Sequence, residues 1–156
     1  MANIAQSVNV ISPLMTSSTG CVKQTTWYPL LLFSQYMRGE TIAVHLECDS
    51  YRGETAPEWL QGTLGVDGAA LLDVSASYKD GWVSLCVVNV DEEKDFETEV
   101  LGVNGEVQVF TITGENVKVV NVEGKEAVGL EEGKWDGNGK FLFKKHSLYL
   151  LRWKVE

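Results

Sequence analysis

The first quarter of the chain has no acidic side chains. The 156 residues include 22 Asp and Glu against 13 Lys and Arg, which gives a formal net charge of −9. Residues 1–39 nevertheless contain no Asp or Glu, and their only charges are those of Lys23 and Arg38. Because charged side chains are rarely buried, a carboxylate-free stretch in an acidic protein predicts a segment that packs against other structure.

Long apolar runs and clusters of basic residues are also missing. No run approaches the ~18 apolar residues of a membrane-spanning helix, and the start lacks the basic and apolar parts of a signal peptide. The Lys and Arg residues are scattered, so the sequence predicts no nucleic-acid partner and no membrane partner. The length suffices for one domain, but a complete (β/α)8 barrel needs about 250 residues.

Residues that could hold a metal ion are few. Cys21, Cys48 and Cys86 are an odd number without metal-like spacing, so we expect reduced thiols, with Cys48 and Cys86 in the core. The two histidines are far apart, and residues 136–139 lack the later acidic ligand of a calcium loop. We therefore predict no metal and no cofactor. The unpaired cysteines and the absence of an Asn-x-Ser/Thr sequon favour an intracellular location.

The carboxylate-free segment has the pattern of two helices separated by a strand and a loop. Apolar residues at helical spacing predict a helix over residues 2–11, and residues 10–15 read as a short buried strand. Residues 16–24 are polar and predict a loop. Pro29 and Gly39 bound a second helix that is apolar on most of its circumference, so we expect more than one surface to cover it.

From residue 41 onward the hydrophobic pattern alternates with the period of two that is typical of β-strands. Lys79-Asp80-Gly81 carries the signal of a β-hairpin turn. Frequent turn residues separate the runs, which together favour an antiparallel β-sandwich. Eight strands are predicted, over residues 42–48, 70–78, 83–87, 96–101, 107–113, 117–122, 141–143 and 148–155.

Short motifs occur in a fixed order along nearly the whole chain. The first set is Asn-Ile-Ala-Gln at residues 3–6, Val-Asn-Val-Ile at 8–11 with Pro13, Gln24-Thr25 with Tyr28-Pro29, and residues 34–39. It resembles the end of the catalytic barrel of family 51 α-L-arabinofuranosidases. The second set is residues 73–76, 81–83, 88–89 and 146–148, and it resembles the C-terminal β-sandwich of that family. Residues 50–68 depart most from the family pattern.

The resemblance implies a mainly β fold in two parts. Residues 1–40 would be the terminal strand–loop–helix piece, the last βα unit, of a (β/α)8 barrel, and residues 41–156 an antiparallel, jelly-roll-like β-sandwich. The sandwich would cover the flank of the barrel and contribute to homo-oligomer contacts. Because the match places Met1 inside a longer helical region, we expect further chain to precede it.

The resemblance also implies a retaining glycosidase that releases terminal α-L-arabinofuranosyl groups from arabinan and arabinoxylan. That mechanism needs two carboxyl groups roughly 5–5.5 Å apart. In the family both glutamates lie on barrel strands that precede the portion seen here, so we expect no catalytic residue in this chain and no activity from it alone. The acidic pairs Glu92-Glu93 and Glu131-Glu132 are interpreted as solvated charges in turns.

One residue carries over as a candidate for substrate contact. Gln24 lies in the loop after the predicted barrel strand, where active-site loops of barrel enzymes are found, and the family motif places a substrate-contacting glutamine there. The alternative is a glutamine that caps the following helix. Trp27 and Tyr28 either face the same pocket or pack between barrel and sandwich. The arabinofuranosyl-containing oligosaccharide or polysaccharide would bind through the parent barrel.

The tryptophans raise an alternative function, a free-standing carbohydrate-binding β-sandwich module. Trp82 and Trp153 fall in predicted strands and are expected in the core. Trp59 and Trp135 fall in predicted loops, so they are the candidates for stacking platforms. The apolar first 39 residues count against this alternative, because an autonomous module has no use for an isolated βα unit.

Overall fold

The structure, a computed structural model, describes residue 6 and residues 8–54 and 68–155. The first elements are strands β1 and β2, helix α1 and strands β3 to β5, which span Leu14–Thr16, Cys21–Lys23, Trp27–Tyr36, Glu40–Ile42, Ser50–Tyr51 and Ala69–Ala70. Strands β6 to β9 span Leu72–Lys79, Trp82–Asn89, Phe96–Glu99 and Val107–Thr113. Strands β10 to β12 span Glu131–Trp135, Lys140–Phe143 and Ser147–Lys154.

A six-stranded antiparallel sheet is the centre of the fold. Its strand order is β10-β9-β12-β7-β6-β3, and β12 lies between β7 and β9 with Leu150 opposite both Cys86 and Phe110. Strands β6 and β7 form a hairpin whose turn residues Asp80 and Gly81 both have positive φ, at 51° and 78°. This is the turn that Asp-Gly favours, so the hairpin predicted at this point is confirmed.

Both faces of this sheet are apolar, because side chains along each strand alternate between them. On one face Leu85, Leu151 and Trp153 belong to the larger cluster, which also includes Phe143 from the separate β8–β11 pair. On the other face Phe110 and Leu150 pack against residues of α1. The sheet is therefore the middle layer, with a β-pair and loops on one side and a helix on the other.

Helix α1 docks on the sheet through residues spaced four apart. Tyr28 and Leu32 are buried against Phe110 and Leu150, and the Tyr36 ring stacks on that of Phe110 with centroids 4.8 Å apart. Residues at this spacing share one helix face. The helix was predicted between Pro29 and Gly39, and the observed span begins two residues earlier and ends three residues earlier.

The opposite side of α1 is open. Leu30 and Phe33 are 39% and 40% exposed, whereas the other side of the helix packs on the sheet and on apolar residues of the segment after β9. Within the described part of the chain, the expectation that further structure covers most of its circumference is not met on this open side. Gly39 follows at φ +104°, and a Cβ at that position would clash with the Tyr78 carbonyl oxygen, so glycine is required where the chain enters β3.

The helix predicted over residues 2–11 is wrong at residues 8–11, which the structure describes. Most of residues 2–7 lie outside the described residues. Asn9 and Val10 have φ of 61° and 60°, which right-handed helices exclude, and Val10 and Ile11 are each 75% exposed. The strand predicted over residues 10–15 is confined to β1, which pairs with β2 as an antiparallel hairpin. The predicted loop over residues 16–24 therefore contains a strand.

Strand assignments differ from the prediction at several places. Of the alternating stretch 42–48 only Ile42 lies in a strand, as the last residue of β3, although Leu46 and Cys48 still pack against the larger cluster. The short strand β4 forms just after this stretch, where no strand was predicted. Residues 117–122 form no strand, and Val117, Val120 and Val122 are about half exposed. Conversely β10 was missed, because an edge strand with charged residues on both sides gives no alternating apolar signal. The other predicted strands are observed with boundary shifts of a few residues.

The cysteines lie in three environments. Cys86 is buried in β7, Cys48 is half-buried outside any strand, and Cys21 is exposed in β2. Burial, with the nearby Asp73 carboxylate, raises the pKa of the Cys86 thiol to about 12.

No helix among the described residues has the length and apolar character that a membrane crossing requires.

Candidate functional site

Gln24 lies between β2 and α1, and both its backbone N–H and its backbone carbonyl are hydrogen-bonded. Its N–H donates to the Pro13 carbonyl at 2.8 Å, and its carbonyl accepts from the Trp27 N–H at 2.9 Å. The side chain is half-buried, and no described residue hydrogen-bonds to its carboxamide. The N-cap residue of α1 is Thr26, without a side-chain capping bond, so the helix-capping alternative for Gln24 gains no support. With respect to the described residues, its carboxamide is available as both donor and acceptor.

The hairpin before Gln24 is tied to residues 114–130, which we call the anchoring loop. The Glu123 carboxylate accepts hydrogen bonds from the hydroxyls of Thr19, at 2.5 Å, and Ser17, at 3.0 Å. These two bonds hold the pKa of the Glu123 carboxyl below its usual value, with Thr19 the larger cause. The β1–β2 turn is thus held by a residue more than 100 positions away in sequence.

Asn121 is a buried hub between the anchoring loop and β2. Its Nδ2 donates to the carbonyls of Lys23, at 2.9 Å, and Val128, at 2.7 Å. Its Oδ1 accepts from the N–H groups of Ala127, at 2.9 Å, and Val128, at 2.8 Å. The side-chain amide is therefore fully used, and one of its bonds reaches the residue directly before Gln24.

A third link joins the anchoring loop to the first turn of α1. The Tyr28 hydroxyl donates to Glu126 Oε1 at 2.5 Å. Burial, followed by this hydrogen bond and the negative charge of Glu126, raises the pKa of Tyr28 to about 12. Tyr28 also belongs to the cluster on the helix face of the sheet, with Trp27 packed against it. These two aromatic residues therefore contribute to packing, which is the second of the two alternatives that the sequence left open for them.

The two adjacent acidic pairs are not arranged to flank a sugar ring. Glu92 and Glu93 lie in an exposed bend, as predicted. Glu131 and Glu132 were expected in a turn but lie in the edge strand β10, where successive side chains point to opposite sides. Neither pair supplies two carboxyl groups that converge on one point.

Trp135 is not an open stacking platform. It ends β10 instead of lying in a loop, and its ring packs edge-on against Phe141 with centroids 5.2 Å apart. Its indole N–H donates to the Asn138 carbonyl at 3.1 Å. Trp59 lies outside the described residues. Trp153 is buried as predicted, whereas Trp82 is only half-buried and lies under the guanidinium of Arg152.

No group of three or more His, Cys, Asp or Glu side chains within residues 8–54 and 68–155 is placed to hold a metal ion.

Sequence reasoning missed Asn121, Glu123 and Glu126 as partners of the segment around Gln24. Their only signal was a cluster of polar and turn residues after 113, and the contacts join positions about 100 residues apart. Such pairs are visible only in the folded chain.

These features define a class of protein, an antiparallel β-sandwich domain that holds a hairpin and a helix against one of its faces. The chain belongs to the α-L-arabinofuranosidase C-terminal domain family, whose model matches residues 1–147. The resemblance found from the sequence motifs is thereby confirmed, and so is the mainly β, antiparallel fold class.

Named relatives match the chain along its whole length. It is 58% identical over 156 residues to a probable α-L-arabinofuranosidase C of Aspergillus terreus, and 57% identical over 156 residues to the α-L-arabinofuranosidase C of Emericella nidulans. Each alignment covers 99% of this chain and 30% of the relative. The chain therefore spans about a third of the length of these curated relatives.

Solved structures share the fold at low sequence identity. The GH51 α-L-arabinofuranosidase of Thermotoga petrophila superposes with a TM-score of 0.79 at 22% identity, over 97% of this chain and 33% of that one. The Thermotoga maritima α-L-arabinofuranosidase, solved as an arabinose complex, gives the same TM-score, identity and coverage. At this identity the likeness establishes the fold and nothing finer.

Proposed function

We propose that this chain is the C-terminal portion of a retaining α-L-arabinofuranosidase that hydrolyses terminal α-L-arabinofuranosyl residues in arabinan and arabinoxylan. The observation that carries the proposal is the family match over residues 1–147, joined to 58% identity with a relative of which the chain is 30%. The reaction needs an acid/base carboxyl and a nucleophilic carboxyl. Both would lie in the part of the enzyme outside this chain.

Within that enzyme, residues 1–40 would complete the catalytic barrel and residues 41–156 would form the sandwich. The proposed boundary is supported by the point at which the chain enters the six-stranded sheet, since β3 begins at Glu40. It is also supported by the charge distribution, because all 22 carboxylates follow residue 39. The sandwich would serve as a structural partner, and a homo-oligomer remains a prediction.

Gln24 would contact a hydroxyl of the bound arabinofuranosyl group. Its half-buried carboxamide has no hydrogen-bond partner among the described residues, while its backbone is fixed by Pro13 and Trp27. The anchoring loop holds the preceding residue through Asn121 and the hairpin turn through Glu123. The sandwich would thus fix the position of a substrate-binding segment that belongs to the barrel.

An activity assay on the 156-residue chain tests the division of labour. With an aryl α-L-arabinofuranoside as substrate, we expect no turnover above a blank purified in parallel from cells without the gene. Turnover that co-purifies with the chain would contradict the proposal. The coding sequence upstream provides the second test, because the absence of two glutamates on barrel-type strands there would overturn the assignment to the longer enzyme.

The role of Gln24 is tested in the longer enzyme. We expect Gln24→Ala to lower kcat/KM about tenfold, the loss expected for one sugar hydrogen bond. Ser18→Ala is the matched control, since Ser18 is exposed in the same hairpin and makes no hydrogen bond with a described residue. Equal kinetic constants for Gln24→Ala and Ser18→Ala would show that Gln24 does not contact the substrate.

The alternative of a free-standing carbohydrate-binding module gains no support from the described residues. The ring of Trp135 is engaged by Phe141 and its N–H by Asn138. Saturable binding of arabinan or xylan by the isolated chain, weakened by Trp59→Ala or Trp135→Ala, would favour that alternative instead.

A further inference from the structure

A basic cleft lies at the end of α1 opposite to Gln24. It has a volume of about 300 Å³ and is formed where α1 ends, where the β6–β7 hairpin turns and where β12 passes. Its lining includes two aromatic residues, three cations and one carboxylate, namely Tyr36, Trp82, Arg38, Lys79, Arg152 and Asp80. Neither the family match nor the proposed function assigns a role to it.

The guanidinium of Arg152 is held between two aromatic rings in this cleft. Its Cζ lies 3.8 Å from the centroid of the Trp82 ring and 5.2 Å from that of Tyr36. Nη1 donates to the amide oxygen of Gln108 at 3.1 Å, a neutral partner. Within the described part of the chain, Arg152 forms no ion pair with a carboxylate. Tyr36, Trp82 and Gln108 orient the guanidinium group. Most of its N–H donors have no partner among the described residues.

The surroundings of Arg152 add positive charge in a protein of net charge −9. Arg38 and Lys79 are exposed at the rim, and neither forms an ion pair with any described carboxylate. Lys154 Nζ lies 5.7 Å from the centroid of the Trp82 ring. Against these four cations, the cleft lining contributes the single carboxylate of Asp80. The local excess of positive charge favours an anion.

We propose that the basic cleft binds a sugar-sized molecule that carries an oxyanion, either a carboxylate or a phosphate. The planar guanidinium fork of Arg152 matches the oxygen pairs of both groups. A volume of about 300 Å³ is at the lower end of small-molecule pockets, which fits one ring. Tyr36 and Trp82 provide apolar wall next to the charge.

NMR titration of the 156-residue chain tests the proposal. D-glucuronate supplies the carboxylate, D-glucose 6-phosphate the phosphate, and D-glucose is the neutral reference. We expect saturable shifts of the Trp82 indole N–H with at least one charged sugar at millimolar concentration, and none with glucose. The tighter charged sugar identifies the anion. Binding should weaken as sodium chloride is raised, because the rim cations are exposed to screening.

Variants distinguish a built site from general attraction. Arg152→Gln should weaken binding about tenfold, and Arg38→Gln, at the exposed rim where folding is not at risk, about threefold. Lys134→Gln removes the same charge from β10, where Lys134 pairs with Glu106, and should leave the affinity unchanged. The proposal is overturned if neither charged sugar binds, if glucose binds equally well, or if Lys134→Gln weakens binding as much as Arg38→Gln.

Discussion

Asn121 shows how much one buried side chain can organise. Its amide makes four hydrogen bonds that join the anchoring loop to itself and to the Lys23 carbonyl. Three of the bonds satisfy backbone groups of the anchoring loop, where no regular strand or helix does so, and the fourth reaches the last residue of β2. Because an unsatisfied buried polar group is costly, the residue type matters more here than the local sequence pattern suggests.

We predict that Asn121→Ala lowers the free energy of unfolding by about 3 kcal/mol, since four backbone groups lose the hydrogen bond that Asn121 provides. Urea denaturation measures the change. Asn138→Ala is the control, because Asn138 lies in an exposed turn where only its backbone is hydrogen-bonded, and it should change the stability by less than about 0.5 kcal/mol. Equal effects of the two substitutions would contradict the hub role.

Tyr28 predicts a dependence of stability on alkaline pH. Its pKa is raised from 10.0 to about 12 in the folded chain, by burial first and by Glu126 second. Between these values the unfolded chain releases the phenol proton and the folded chain retains it, so stability falls as pH rises through this window. Tyr28→Phe should reduce the slope of unfolding free energy against pH from 10 to 12.

The pKa of Cys86 is raised from 9.0 to about 12, and the pKa of Tyr149 is also raised by burial, but both groups contribute equally in the two proteins. The difference between wild type and Tyr28→Phe therefore isolates Tyr28. Parallel stability curves across the window would show that the Tyr28 pKa is not raised.

At the scale of elements, α1 shows which sequence signals are sufficient. Pro29 and Gly39 located the helix because both act through local backbone geometry. The apolar residues could not reveal which side docks, since nearly the whole circumference is apolar. By contrast β10 was missed and residues 117–122 were assigned as a strand, because ladder partners from distant segments decide strands more than composition does.

The docking of α1 is tested by two leucines on opposite sides of one helix. Leu32 is fully buried against Phe110 and Leu150, so Leu32→Ala should cost about 2–5 kcal/mol of unfolding free energy. Leu30 is 39% exposed, and Leu30→Ala should cost less than about 1 kcal/mol. Thermal or urea denaturation compares the two. If both variants lose equal stability, α1 does not pack on the sheet in this orientation.

At the scale of the whole molecule, the exposed side of α1 predicts self-association. Leu30 and Phe33 are both more than one-third exposed on a helix that is otherwise docked. Adjacent exposed apolar side chains favour contact with other molecules. We expect the isolated 156-residue chain to bind a hydrophobic dye and to sediment with a concentration-dependent mass.

The double substitution Leu30→Ser and Phe33→Ser should reduce both the dye signal and the association while leaving the unfolding midpoint within a few degrees. Leu101→Ser and Leu142→Ser remove exposed apolar residues outside α1 and provide the matched control. A larger loss of dye binding in the control pair would place the associating surface away from α1.

The sequence by itself determined the family, the mainly β class, the β6–β7 hairpin and the approximate limits of α1. These depend on motifs in order, alternation along a strand and the backbone preferences of Pro, Gly and Asp-Gly, all of which are local. Only the tertiary structure decided that α1 and the hairpin are held on the sandwich and that Asn121, Glu123 and Glu126 hold the segment around Gln24. It also decided that Arg38, Lys79 and Arg152 line one cleft with Trp82. Those contacts join residues that are far apart in sequence, and only the folded chain brings them within hydrogen-bonding or stacking distance.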